Sequence, residues 1–404
     1  MSNQPRPKRP PLTHFLCLPL VNDISLPQLE SSLAAFKASI PPSPAKADLT
    51  EVQRRYQQQR PLIPDDAIRP VGTLHLTLGV MSLPTSQRLD EALRFFHSLD
   101  LAALLRKAEA SAAQKKRLNA TSTWETNSTQ TTNDAGGAFG TTPTEELPQD
   151  GSTPSEPFTI SLESLHALPR VRSATILHAV PVDPTSRLYP FCEMLRKEFV
   201  EAGFLQKDYK RESKTTRQPR EQPPEQQQDQ PPASPPQQPP TTEPELRPLL
   251  LHATVVNTIY IRGRQRNLGG RGKGDRGSPY TFDARDILSH YRNFYLDDDR
   301  TVPRSSGTVA RDESSARSND ENRHGPESPL EEENALARAE LGSEEKRQGY
   351  PFVWARDFRI DSLCICKMGA KKLDPEGNTS GMNARLGEKY PVVAERSLDF
   401  REID

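Results

Sequence analysis

The sequence predicts an α+β chain whose ordered part folds as two pseudo-symmetric lobes of β-sheet and helix, interrupted by long disordered insertions. Two short stretches carry most of that expectation. Leu74-His75-Leu76-Thr77-Leu78 and Leu251-His252-Ala253-Thr254-Val255 share one design: apolar, His, apolar, Thr, apolar. The third observation is order, since strand, helix, loop and His-x-Thr strand follow one another twice, from Thr13 to Val80 and from Ala174 to Tyr260. Identity between the halves is low, so the repeat rests on arrangement rather than on matching letters.

Composition limits how much of the chain can pack. Of 404 residues only 33% are hydrophobic and 39 are proline, which points to one folded domain carrying large insertions rather than several domains. Lys plus Arg number 53 against 54 Asp plus Glu, so no global field draws the protein to nucleic acid or to a membrane, and any polyanion site must be local. The four cysteines, Cys17, Cys192, Cys364 and Cys366, sit inside apolar runs. They read as buried free thiols and favour a reducing compartment, nuclear or cytoplasmic. No apolar run approaches the ~20 residues that span a bilayer, and no signal-peptide core follows the basic, Pro-rich tail at residues 1–12.

The elements follow in order. His14 to Leu20 reads as a buried strand. Ser25 to Ile40 is a helix, because Leu29, Leu33, Phe36 and Ile40 recur at helical spacing before Pro41-Pro42 stop it. Ile68-Arg69-Pro70 leads into the first His-x-Thr strand, and Ser86 to Leu105 forms one amphipathic helix. A Ser-, Thr- and Gly-rich insert is expected over 108–157. Phe158 to Leu162 and Ala174 to Val182 are strands, and a helix from Leu188 to Phe204 is closed by Gly203. Further inserts are expected over 210–244, 263–278 and 297–349, with Asp283 between the last two placed to cap a helix. Phe352 to Met368 returns to β-like composition, with Ile360 to Cys366 as the last strand, and 369–404 is a C-terminal extension.

In a strand, successive side chains point to opposite faces, so His75 and Thr77 share one face while Leu74, Leu76 and Leu78 share the other. His252 and Thr254 stand in the same relation to Leu251, Ala253 and Val255. If the two strands lie together, one ligand meets two imidazoles and two hydroxyls. Imidazoles that titrate near neutrality can act as base and acid in one cleavage of a phosphoester, with the hydroxyls on the non-bridging oxygens. No metal or other cofactor is required by this scheme, and neither motif carries a carboxylate or a third His to complete a ligand set. Asp283 and Asp361 would have to be recruited from elsewhere. His14 and His178 read as core or edge histidines, His97 rides a helix, and His166, His290 and His324 have no partner pattern. The Arg-rich run from Arg262 to Arg276 could meet phosphates electrostatically, although a flexible solvated linker is the favoured reading of its composition.

The pair HLTL and HATV resembles the 2H phosphoesterase superfamily. Together with the flanks THFLCLPL, HLTLGVMSL, LHATVVNT and FDARDIL it looks like the A-kinase anchor protein 7-like phosphoesterase domain, also present in activating signal cointegrator complex subunit 1, over residues 13–368. The resemblance implies two lobes around a central cleft, with His75, Thr77, His252 and Thr254 as motif residues and RNA, an oligonucleotide or a cyclic phosphate as substrate. The KH domain of the cointegrator subunit and the kinase-anchoring helix have no counterpart in the sequence. The reading is a metal-independent phosphoesterase. Its rival is a non-catalytic nucleic-acid-binding or adaptor subunit of a transcription-coactivator or repair complex, with no membrane partner in either case.

Overall fold

The structure is a computed structural model that describes residues 10–43, 61–127, 156–205, 247–261, 280–293, 295, 297–301, 304–305, 348–377 and 380–400. The expected inserts at 210–244 and 263–278, and most of those at 108–157 and 297–349, lie outside the described residues.

Eight strands form one antiparallel sheet that curls into a half-barrel. They are β1 (His14–Pro19), β2 (His75–Met81), β3 (Thr159–Leu168), β4 (Ile176–Val182), β5 (Ala253–Asn257), β6 (Val353–Arg359), β7 (Ser362–Lys367) and β8 (Val392–Ser397). Side by side they run β8-β7-β1-β2-β5-β4-β3-β6. The two His-x-Thr segments therefore meet at the middle of one continuous sheet.

The main core covers one face. Leu74, Leu76 and Leu78 join Leu251, Ala253 and Val255 there, together with the apolar sides of the helices. Each fully buried large apolar side chain contributes ~1.5–3 kcal/mol by leaving water. β1 shows no alternation in sequence because both its faces are covered. Leu16 and Leu18 enter the main core, whereas Phe15 and Cys17 join Cys364 and Cys366 in a small cluster on the opposite face. All four thiols are buried and unpaired by disulfides, and Cys17 lies 3.8 Å from Cys366, sulfur to sulfur.

Helix α1 (Ser25–Ser39) buries Leu26, Leu29, Leu33 and Phe36 and packs against β6. Pro27 falls in its first turn, where a missing N–H costs nothing. Asn22 accepts from the backbone N–H groups of Ile24 and Ser25 at 3.1 and 2.9 Å, and Ile40 is already extended.

The single helix expected from Ser86 to Leu105 is two: α2 (Ser86–Ser98) and α3 (Leu101–Asn127). Leu99 is extended, and the Asp100 carboxylate accepts from the Ala103 N–H at 2.8 Å, capping a new helix. Arg396 of β8 closes the break from outside by donating to the Phe96 and Leu99 carbonyls at 2.9 and 2.6 Å. α3 also runs through the first part of the expected insert at 108–157, because residues 102–118 are rich in Ala, Leu, Lys and Arg, which favour helix.

α4 (Leu188–Glu201) packs on α3, and the Arg187–Glu109 ion pair at 2.7 Å ties the start of α4 to the body of α3. Gly203, with φ of +73°, closes it. Before α5 (Arg285–Tyr291), Asp283 accepts from the Arg285 N–H at 3.1 Å. After β7 the chain forms a ribbon, Lys371–Lys372 against Glu388–Lys389, around α6 (Met382–Leu386), and then enters the sheet as its edge strand β8. Among the described residues no helix is long and apolar enough to cross a membrane.

Candidate active site

β2 and β5 are joined in register at Leu76 and Ala253. Continuing that antiparallel register by one residue each way sets His75 across from Thr254 and Thr77 across from His252. On both segments the flanking apolar residues are buried, while His75, Thr77, His252 and Thr254 are half-buried on the other face. The four residues singled out in sequence thus share one patch of sheet.

The two imidazoles are held alike. His75 Nδ1 lies 2.7 Å from the Thr73 carbonyl oxygen and His252 Nδ1 lies 3.0 Å from that of Leu250, each two residues upstream. A carbonyl can only accept, so Nδ1 carries the hydrogen and Nε2 of the neutral ring keeps its lone pair. Both rings therefore offer the same nitrogen for proton transfer.

Their surroundings differ. His75 packs against Phe15 and Tyr390 at 4.9 and 5.3 Å between ring centroids, the tyrosine meeting it edge-on. Burial pushes its pKa down to about 4, the bond to Thr73 opposes that, and the nearby charges of Arg69 and His252 lower it further. His252 instead packs against His178 at 4.9 Å, and His178 stacks on His166 at 5.7 Å. Burial, followed by the charges of His252 and His166, holds the His178 pKa down at about 3. His178 Nδ1 is buried with no hydrogen-bond partner among the described residues.

Sequence reasoning missed these neighbours. His178 is a core histidine, as expected, but on β4 it is the cross-strand partner of Thr254 on β5, and His166 on β3 is the cross-strand partner of His178. A row His75, Thr254, His178, His166 therefore crosses four adjacent strands. The signal available in sequence was the alternation of β4, which puts His178 on one face, but which face depends on the pairing. Arg69 and Tyr390 are also at the site: Arg69 Nη2 donates to the Tyr390 hydroxyl at 2.8 Å. Asp283 and Asp361 are elsewhere, the first paired with Arg285 at 2.7 Å and the second accepting from Asn22 at 2.9 Å. Among the described residues no group of three or more His, Cys, Asp or Glu is arranged to hold a metal ion.

A family model described as an AKAP7 2'5' RNA ligase-like domain matches residues 12–304. The chain belongs to that family. It is thereby part of the 2H phosphoesterase superfamily, a phosphoesterase and RNA ligase-like group. A search of curated proteins returned no match. The AKAP7 2'5' RNA ligase-like span contains both His-x-Thr segments, Arg69, His166 and His178. β6, β7, β8 and Tyr390 lie beyond it.

Proposed function

We propose that this protein is a metal-independent phosphoesterase that opens a 2',3'-cyclic phosphate, or cleaves a related 2'-5' or 3'-5' phosphodiester, in RNA or an oligonucleotide. The observation that carries this reading is the shared register of the two His-x-Thr segments with matching Nδ1 bonds to upstream carbonyls. On this reading the two lobes expected from the sequence correspond to the halves of the sheet on either side of β2 and β5, and the ligand spans them.

His75 is unprotonated at neutral pH, which suits it to the base role. Its Nε2 takes a proton from water as the water oxygen bonds to phosphorus. The bond from phosphorus to the leaving ribose oxygen breaks, and that oxygen takes a proton from Nε2 of His252, whose ring must enter the step as the imidazolium and leaves it neutral with Nδ1 still bonded to the Leu250 carbonyl. Thr77 and Thr254 donate to the non-bridging oxygens as charge builds there. General acid–base groups of this kind contribute typically ~10²–10⁴-fold each.

The test is turnover of a panel of cyclic and linear oligoribonucleotides in EDTA, for the wild type and for His75→Ala and His252→Ala. Turnover that survives the chelator and falls at least ~100-fold in both variants is the expected result. Binding without turnover across the panel, turnover unchanged in both variants, or activity abolished by EDTA defeats the proposal.

A further inference from the structure

We infer that Arg69 is a phosphate-binding cation of this cleft, held in place by Tyr390 from the C-terminal segment. This rests on the phosphoesterase reading for its substrate, but its first readout is binding.

The backbone around Arg69 is fixed to the motif strands. Ile68 bridges Val256, and the Arg69 N–H donates to the Val255 carbonyl at 2.8 Å, one residue beyond Thr254. Six residues later the same segment reaches His75. Arg69 is thus anchored to β5 while belonging to the approach to β2.

Among the described residues no carboxylate compensates its charge. The guanidinium carries five N–H donors, and among the described residues its only side-chain partner is the Tyr390 hydroxyl, with no carboxylate paired to it. Burial holds the Tyr390 pKa above the ordinary phenol value against the opposing pull of Arg69, so at neutral pH the ring stays an uncharged phenol. A half-buried cation near the His75 imidazole, without a counter-anion among the described residues, favours an anionic ligand, and a guanidinium fork fits two phosphate oxygens at once.

Tyr390 is itself held on three sides. It meets Phe15 and His75 edge-on at 4.9 and 5.3 Å, and the Arg69 guanidinium carbon lies 5.9 Å from its ring centre. The ribbon that carries it sits on the turn before β2 at Gly72, where an added Cβ would collide with the Glu388 carbonyl oxygen and come 2.9 Å from Leu386 Cβ. A segment outside the family match thus supplies the residue that positions Arg69.

The experiment measures binding of adenosine 2'-monophosphate by calorimetry at low and high salt, KM and kcat on the cyclic substrate, and the His75 imidazole titration by NMR. Three variants are compared: Arg69→Met, Arg69→Lys and Tyr390→Phe. Arg69→Met is expected to weaken binding about 10- to 100-fold, the loss of a charge-assisted hydrogen bond, to blunt its salt dependence, and to raise the His75 pKa. Arg69→Lys retains part of the affinity. Tyr390→Phe raises KM several-fold with kcat little changed. If the nucleotide fails to bind the wild type, or binds Arg69→Met as it binds the wild type with the same salt dependence, the inference is overturned. If the nucleotide binds through Arg69 but the wild type turns nothing over, the inference stands and the phosphoesterase reading fails.

Discussion

The His178 ring stands 4.9 Å from that of His252 at an interplanar angle of 61°, with its own Nδ1 buried and unpartnered among the described residues. A buried imidazole with an unsatisfied nitrogen costs stability, and here that nitrogen belongs to the ring packed directly on a motif histidine.

His178 and His75 both titrate lower in the fold, at about 3 and about 4, than a free imidazole at ~6.5. Because the unfolded chain takes those protons first, the stability from keeping the rings neutral is fully present above pH ~6.5. It is lost as pH falls toward 4 and then 3, at up to ~1.4 kcal/mol per pH unit for each ring. His178→Phe removes one of the two. Urea unfolding at pH 7 and pH 5 should show a smaller loss for this variant than for the wild type, with stability at pH 7 unchanged or raised. An equal loss in both proteins would rule out His178 as a source of acid lability.

Thr77→Val and Thr254→Val preserve shape and remove a hydroxyl from the sheet face that carries His75 and His252. If the hydroxyls stabilise charge developing on phosphate oxygens, each change lowers kcat about 10²–10³-fold, the cost of removing one such donor. Folding stability should shift by less than ~1 kcal/mol, because both side chains are half-buried on the face opposite the main core. Equal losses of kcat and of stability in the same variant would assign the threonines to packing.

Gly72→Ala tests the seating of the C-terminal ribbon. The new methyl meets the backbone of Glu388, which cannot swing aside as a side chain can. A destabilisation of ~1–3 kcal/mol is expected from overpacking, read in thermal unfolding. A rise in KM should accompany it as Tyr390 is displaced. Wild-type stability and KM together would show that the ribbon does not bear on the site.

The histidine pairs were legible because a strand buried on one face writes its period into the sequence, and Leu74, Leu76 and Leu78 against His75 and Thr77 is that pattern. α1 was legible for the same reason at helical spacing. The break before Asp100 was not, since Leu99 and Leu101 continue an apolar rhythm and only the capping carboxylate marks the turn. The contact of Arg69 with Tyr390, separated by 321 residues, leaves no local trace. It exists only because β7 and β8 add to the sheet beside β1, a pairing set by tertiary packing rather than by any periodicity. The position of His178 was half legible: its burial could be read from the apolar run around it, its neighbour could not.

β1 and β2 pair along their length, from His14 and Met81 to Pro19 and His75, and β4 and β5 pair from Ile176 and Asn257 to Ala179 and Ala253. Between β2 and β5 the ladder is joined at Leu76 and Ala253 alone. The middle of the sheet is therefore its lightest backbone seam, and the histidines and threonines of the motifs there are carried by two well-laddered flanks. A phosphate gripped from both flanks at once would act as a stitch across that seam, supplying from the ligand the cross-links that the backbone omits.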